Sequence, residues 1–341
     1  MKSPSPFKSN SISLNHRRPL KVAPGGRNPS FLPDRGKLPD HRGPLNPVRE
    51  LLMSSPELKE IDSLIRLLDD RDSFVFKKVR ENIVNLGTPA VPYLRKAAIT
   101  ENTVLRQRAL DVLDALHPVE LKEKFVRFTR DAKGEDLDLE QGACLIMEFG
   151  GWREEGSVEV RHKLDELAEG LKPQLSPDDT NEETVRKLSK FLFQEQAFQG
   201  NQVEYFEPEN SYLDRVLETR KGIPITLSLV CILVGRRLGL PIDGIGLPCH
   251  FIAKLNAPGN PVYFDPFNKG RILTYDSCVE LVESFGLKFE EKFLNTSTSR
   301  EILVRMLHNL ITIFNRLQDE EKSAHLVELS RVLLGRSPDL A

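Results

Sequence analysis

Residues 221–241 read KGIPITLSLVCILVGRRLGLP, and this stretch decides the fold. From position 225 to position 234 the only polar side chains are Thr226 and Ser228. A helix that is apolar on all sides belongs in a protein core. Pro224 suits the first turn of such a helix, where a missing N–H costs nothing, and a glycine and a proline follow the far end. The stretch therefore predicts a buried helix, because its length and end signals favour a helix over a parallel-sheet strand.

Two strand-like runs follow the predicted helix. They cover residues 250–255 and 262–265, and a segment rich in turn-forming residues separates them at positions 256–261. This pattern predicts an antiparallel hairpin that carries His250 on its first strand and Asp265 on its second.

The register of the hairpin decides whether these two side chains meet. The register that pairs Leu255 with Val262 puts His250 one diagonal step from Asp265, and a shift of two residues puts them directly opposite. Either register leaves about 4.5–8 Å between their Cβ atoms, whereas a slip of one residue separates them. A buried helix followed by such a hairpin is the layout of a Cys-His-Asp hydrolase or acyltransferase, with its thiol at the helix N-terminus. This helix N-terminus has no cysteine.

Three stretches of the sequence resemble a known family. They are NSYLDRVLETRKGIPITLS at 210–228, GLPCHF at 246–251 and FDPFNKG at 264–270. They resemble the bacterial transglutaminase-like family named after an invasion-gene regulator, whose core also occurs in some eukaryotic F-box proteins. The resemblance covers about residues 135–335 and implies a papain-like transglutaminase core with trailing tetratricopeptide-like helices.

The resemblance also assigns roles, position by position. His250 corresponds to the triad histidine and Asp265 to the triad aspartate. The thiol position of active transglutaminases, two residues after the glycine matched by Gly222, falls on Pro224. Proline has no nucleophilic atom. The resemblance therefore implies the transglutaminase fold and two of the three triad residues, but not transglutaminase activity. The alternative interpretation of His250 and Asp265 is that they form a hydrogen bond with a structural role only.

Four other side chains come into question as the nucleophile. Cys231 lies about 10 Å further along the helix and is predicted to be a small buried hydrophobe. Cys249 stands where the family has glycine, and as a strand neighbour of His250 it is expected to point to the opposite face. Thr226 or Ser228 could act as an activated hydroxyl, and the alternative for Thr226 is a structural bond to a backbone carbonyl.

Helical repeats are predicted on both sides of this core. Apolar stripes recur at an offset of 30 residues, with Pro89 ending one helix and Pro118 following the matching stripe. Residues 55–130 therefore resemble short HEAT-like repeats, and the alternative is an ordinary helical subdomain. Residues 293–341 resemble a tetratricopeptide-like hairpin, which cannot bury its own face and is expected to dock on the transglutaminase-like domain of residues 135–292.

Residues 1–54 form a basic, proline-rich tail. Residues 1–50 contain nine prolines, 10 basic and 3 acidic residues, a charge of +7, without apolar periodicity. Such a segment is predicted to be disordered. It is either a tether to nucleic acid or membrane or a solvated extension. The second interpretation is favoured, because only two aromatic residues, Phe7 and Phe31, stand among its charges.

The remaining composition argues against several classes of protein. Residues 51–341 carry 38 basic and 47 acidic side chains, a charge of −9. No apolar run reaches about 18 residues and no secretory signal is present, so a cytoplasmic location without membrane contact is expected. Four scattered cysteines without a CxxC pair indicate neither disulfides nor zinc. Since the sequence shows no metal cluster, phosphate-binding loop or dinucleotide fingerprint, no cofactor and no metal are predicted.

The predicted fold class is α+β and mostly helical, with a papain-like transglutaminase core flanked by helical repeats. The leading hypothesis is a non-catalytic regulatory or scaffolding protein that contacts an unknown protein partner through its repeats. The alternative is a hydrolase or acyltransferase that uses His250 and Asp265 with Thr226 or Ser228 as nucleophile. A third hypothesis is a regulator that contacts nucleic acid through the basic tail.

Overall fold

The computed structural model describes residues 55–132, 136–151 and 156–336. The predicted disordered tail, residues 1–54, lies outside these ranges. Within them the chain is mostly helical and carries a small antiparallel sheet. This confirms the predicted α+β, mostly helical fold class.

The described ranges contain the following elements. In chain order the α-helices are α1 (Ser55–Arg66), α2 (Ser73–Leu86), α3 (Val91–Ala97), α4 (Thr103–Asp131), α5 (Leu139–Phe149), α6 (Gly156–Leu171), α7 (Asn181–Lys190), α8 (Leu213–Thr219), α9 (Pro224–Arg237), α10 (Tyr275–Glu283), α11 (Ser299–Arg316) and α12 (Glu320–Leu333). The strands are β1 (Gln199–Gly200), β2 (Lys221–Gly222), β3 (Ile242–Ile245), β4 (Ile252–Leu255), β5 (Val262–Asp265), β6 (Arg271–Leu273) and β7 (Thr296–Ser297). None of these helices combines the length and the apolar character that crossing a membrane requires.

Helix α9 is the buried helix that the sequence predicts. Every residue from Pro224 to Gly235 is buried. The helix contacts β3, β4 and helix α6, which together cover its apolar surface. At its C-terminal end Arg237 donates to Asp165 (2.5 Å) and to Glu140 (2.8 Å). A cation at this end also suits the helix dipole.

The main sheet is antiparallel, with its strands in the order β6-β5-β4-β3-β7. Leu255 pairs with Val262, which confirms the predicted hairpin and the first of its two registers. The first strand is shorter than predicted, because β4 begins at Ile252 rather than at His250. A turn explains the difference: the backbone N–H of His250 donates to the carbonyl oxygen of Leu247 (3.2 Å) instead of joining the ladder.

Helix α4 is longer than predicted, because it continues through Pro118 to Asp131. The prediction that Pro118 lies beyond the end of a helix is therefore wrong. A proline inside a helix costs about 3 kcal/mol. Beyond it the helix buries Leu121, Phe125 and Phe128 in the main core. Each such side chain contributes about 1.5–3 kcal/mol on burial, so packing outweighs the proline.

The first and last helices pack on the same body. Helix α4 contacts α12, and Lys122 pairs with Glu328 there (2.9 Å). Helix α11 places one face in the main core, with the buried side chains Ile302, Leu303, Met306, Leu307 and Leu310. Asp136 accepts the backbone N–H of Ser299 at its start (2.7 Å). Helix α11 also contacts α5 and α9, so the expectation that the C-terminal hairpin docks on residues 135–292 is confirmed.

Candidate functional site

His250 and Asp265 form a hydrogen-bonded pair at the end of the hairpin. The Nε2 atom of His250 lies 2.9 Å from Oδ2 of Asp265. The two residues are 9% and 2% exposed, so solvent hardly reaches the pair. The predicted proximity of the two side chains is confirmed. His250 reaches Asp265 from the turn before β4, however, and not from a position on the strand.

The Asp265 carboxylate also organises the turn that follows β5. Its Oδ1 accepts the backbone N–H of Phe267 (3.0 Å) and of Asn268 (3.3 Å), while its Oδ2 also accepts the side-chain amide of Asn268 (2.7 Å). Burial alone would raise the pKa of this carboxyl group, but the hydrogen bonds from His250 and Asn268 outweigh burial and lower it. Asp265 is therefore ionised at neutral pH and saturated with donors.

Arg305 on α11 holds the turn before His250. Its Nη2 atom donates to the carbonyl oxygens of Leu247 (2.8 Å) and His250 (2.7 Å). Cys249 lies in this turn with a φ of +62°, a left-handed conformation that glycine adopts at lower cost. The left-handed conformation explains why the resembling family has glycine at position 249. The predicted strand geometry for Cys249 is wrong, because the exposed thiol belongs to a turn.

Pro224 and Thr226 lie at the N-terminus of α9. Pro224 is buried at the first position of the helix, where the resemblance places the catalytic thiol. Thr226 is 0% exposed, and its hydroxyl donates to the carbonyl oxygen of Asn210 (2.7 Å) and accepts the N–H of Ile223 (3.1 Å). The hydroxyl of Thr226 thus makes the structural bond to a backbone carbonyl that was the alternative to a role as nucleophile.

Ser228 and Cys231 lie deeper in the same helix. Ser228 is fully buried, and its hydroxyl has no hydrogen-bond partner among the described residues. Cys231 is also fully buried, and burial raises the pKa of its thiol, so the thiolate form is disfavoured. Within the described ranges, the side-chain hydrogen bond of His250 is the one to Asp265, and no hydroxyl or thiol bonds to its ring.

Phe267 separates His250 from a neighbouring cleft. The ring of Phe267 packs edge-on against the imidazole at 6.2 Å and against the ring of Tyr205 at 6.0 Å between centroids. It also covers Gly200, where an added Cβ would come within 2.6 Å of its ring. On the far side is a cleft of about 630 Å³ that Phe267 lines and His250 does not.

An amide network fixes the loop that borders this cleft. The side chain of Asn201 donates to that of Asn210 (3.0 Å), and Asn210 donates to the carbonyl oxygen of Glu204 (2.6 Å). Because Thr226 bonds to the carbonyl of the same Asn210, the loop is tied to the N-terminus of α9. Sequence reasoning missed Asn201, Asn268 and Arg305 as site residues. Of these three residues, only Asn268 could have been identified from the sequence, because it lies inside the third motif.

The arrangement has limited chemical capability. A neutral imidazole that donates its Nε2 proton to Asp265 carries a lone pair on Nδ1, which is the arrangement of a general base. A base acts on a hydroxyl or thiol within about 3 Å, yet the Thr226 hydroxyl is committed to a carbonyl oxygen. The described residues include no group of three or more His, Cys, Asp or Glu side chains that could hold a metal ion.

A buried helix packed on an antiparallel sheet, with a histidine and an aspartate paired at the end of its hairpin, is the arrangement that the resemblance implies for a transglutaminase-like domain. Comparison with known families agrees with this class, since residues 158–308 match the family described as "Transglutaminase-like superfamily". The chain therefore carries a transglutaminase-like domain.

Known relatives match about half of the chain. A UPF0162 protein of Xylella fastidiosa (strain 9a5c) is 35% identical over 158 residues, which are 45% of this chain and 56% of the relative. A UPF0162 protein of Vibrio cholerae is 40% identical over 155 residues, 45% of this chain and 53% of the relative. F-box only protein 21 of Mus musculus is 26% identical over 190 residues, 53% of this chain and 30% of the relative.

These similarities support a bacterial transglutaminase-like family, as the motifs predict. The chain spans about half the length of the UPF0162 relatives it matches. No solved structure shows a significant match to it.

Proposed function

We propose that this chain is a non-catalytic transglutaminase-like protein that acts as a cytoplasmic regulator or scaffold through protein–protein contacts. The observation that carries the proposal is Pro224, which is buried at the first position of α9, the position of the thiol in the resembling family. Its ring has no atom that can attack an acyl group. Membership of the family named after an invasion-gene regulator is part of the same proposal and rests on the three motifs.

The His250–Asp265 pair has a structural role in this proposal. Asp265 accepts four hydrogen bonds that join the turn before β4, the end of β5 and the turn after β5. Phe267, which lines the cleft, packs edge-on against the imidazole. The pair therefore supports the wall of the cleft.

The flanking helices supply a partner-binding surface in this proposal. We assign residues 1–54 to the tail, 55–130 to HEAT-like repeats, 135–292 to the transglutaminase-like domain and 293–341 to a tetratricopeptide-like hairpin. Stacked helical repeats usually present binding surfaces. The N-terminal helices expose several large apolar side chains that a partner would cover: Leu67, Phe74, Ile99, Val104, Leu110 and Val119.

An acyl-transfer assay tests the non-catalytic proposal. The full-length chain and its His250→Gln and Thr226→Val variants would be incubated with glutaminyl peptides plus an amine donor, and separately with activated esters. We expect the wild type to give the same background rate as both variants, because no nucleophile reaches His250. An authentic transglutaminase run in parallel establishes the sensitivity of the assay.

The opposite result would support the hydrolase or acyltransferase alternative. General-base catalysis contributes about 10²–10⁴-fold to a rate. A wild-type rate that drops by such a factor in His250→Gln, while circular dichroism shows the fold intact, would overturn the proposal. A parallel loss in Thr226→Val would identify the nucleophile, and Ser228→Ala would be the corresponding test of the second hydroxyl.

A further inference from the structure

The cleft beside Phe267 has a charge opposite to that of the body around it. Lys221 and Lys269 line it, and Glu204 is the one acidic residue on its described lining. Neither lysine is paired with a carboxylate in the part of the chain that the structure describes. Beyond residue 50 the chain carries 38 basic and 47 acidic residues. Two unpaired ammonium groups in one cleft of an acidic body favour an anionic ligand.

The backbone fixes the positions of both lysines. Lys221 lies in β2, which pairs in parallel with β1, so that the N–H groups of Gln199 and Asn201 donate to the carbonyls on either side of it (2.8 and 3.0 Å). Lys269 ends the turn that Asp265 organises, and its φ of +58° holds it in a left-handed conformation. The His250–Asp265 pair therefore also determines where one of the two cations stands.

The residues that line the cleft also include hydrogen-bond donors suited to a polypeptide. Among the described residues, the backbone N–H groups of Gln202 and Val203 have no protein acceptor. The side chain of Gln199 also lines the cleft. Unpaired backbone donors in an irregular loop are suited to the carbonyl and carboxylate groups of an extended chain.

An apolar surface accompanies these polar groups. The ring of Phe267 forms part of the lining, and Val203 at the cleft is 95% exposed. Apolar contacts next to ammonium groups suit a peptide in which an apolar side chain stands between carboxylates. Glu204 and the negative charge of the body disfavour a polyanion such as nucleic acid.

We infer that this cleft binds an extended, acidic peptide segment of a partner protein. Its carboxylates reach Lys221 and Lys269, and an apolar side chain between them packs on Phe267. The volume of about 630 Å³ lies within the usual range of ligand sites and holds about two or three peptide residues. The inference rests on the proposed function, because it names the kind of partner that the non-catalytic site holds.

Fluorescence anisotropy on the full-length chain tests this inference. The probe is a fluorescein-labelled heptapeptide of the sequence Ala-Glu-Leu-Glu-Leu-Asp-Ala, and its counterpart with Gln and Asn in place of Glu and Asp is the uncharged control. We expect saturable binding of the acidic peptide that weakens as salt rises, and at least tenfold weaker binding of the amide peptide. The double variant K221E/K269E should bind the acidic peptide at least tenfold more weakly than wild type.

The double variant K77E/K96E is the matched control. It makes the same change in net charge on exposed lysines of α2 and α3, far along the chain from the cleft residues. It should bind like the wild type, and an equal loss in both double variants would overturn the inference. So would no binding of the acidic peptide at 1 mM, or tighter lysine-dependent binding of a single-stranded oligonucleotide.

The failure of this inference is distinguishable from failure of the proposed function. Absent peptide binding in a chain without His250-dependent turnover overturns the inference and leaves the non-catalytic proposal standing. His250-dependent turnover overturns the proposed function, whichever peptide the cleft binds.

Discussion

The Asp265→Ala variant is expected to lose about 3–5 kcal/mol of unfolding free energy, the usual cost of removing one member of a buried hydrogen-bonded pair. Asp265 is 2% exposed and accepts hydrogen bonds from His250, from the N–H of Phe267 and from the N–H and amide of Asn268. Alanine would leave the buried ring of His250 without its acceptor and would remove the acceptor from the part-buried hydrogen bonds of Phe267 and Asn268. A buried donor without a partner is costly. Urea denaturation followed by circular dichroism measures the loss.

The matched control is Asp178→Ala, which removes an exposed carboxylate. Surface substitutions of this kind usually change stability by less than about 0.5 kcal/mol. If Asp265→Ala cost less than about 1 kcal/mol, the carboxylate would not organise the hairpin and the turn. The structural role of the pair would then be contradicted.

The Gly270→Ala variant is expected to destabilise the chain by about 3 kcal/mol or more. Gly270 has a φ of +71°, and an added Cβ would lie 2.4 Å from the Cβ of Ser189 and closer still to its hydroxyl. Ser189 lies on α7, so the obstacle cannot rotate away as the end of a flexible side chain would. The strain of the left-handed conformation adds to this clash. Thermal and urea unfolding of the two proteins would measure the difference.

Gly239→Ala separates these two causes. Gly239 has the same φ of +71°, but nothing lies within 4 Å of the position of its Cβ. This control should show the backbone cost alone, about 1–2 kcal/mol. Equal losses in Gly239→Ala and Gly270→Ala would show that the close approach of the turn after Asp265 to α7 is absent in solution.

The sequence could predict the parts of the fold that depend on local pattern. The run from 225 to 234, in which only Thr226 and Ser228 are polar, is predicted to be buried, and the structure buries it in α9. The turn-forming residues at 256–261 were enough to predict the hairpin and, as one of its two registers, the pairing of Leu255 with Val262, which brings the start of β4 beside the end of β5. His250 meets Asp265 there from the turn before β4, a position that strand alternation does not determine.

Other features could not be predicted because they depend on residues far apart in the chain. Arg305 reaches the turn before His250 from α11, 55 residues away in sequence. Helix α4 continues through Pro118 because its second half packs into the main core. The sequence near Pro118 does not show this packing. The turn conformation of Cys249 could not be predicted either. Side chains alternate between faces only within a strand, and β4 begins three residues later, at Ile252.

We propose that Pro224 occupies the place of the nucleophile in a domain that retains the His250–Asp265 pair. The direct test introduces the thiol, as Pro224→Cys in a Cys249→Gly background, and measures the rate of alkylation by iodoacetamide against pH. The remaining cysteines are suited to this design, because burial raises the pKa of Cys144 to about 12 and of Cys278 to about 11, and also raises the pKa of the fully buried Cys231.

An ordinary cysteine has a pKa of about 8.5, and a helix N-terminus together with a nearby imidazole lowers it. We predict that the new thiol reacts with a midpoint clearly below that pH, and that adding His250→Gln raises the midpoint by about one unit or more. A midpoint at or above 8.5 that does not respond to His250→Gln would contradict the claim.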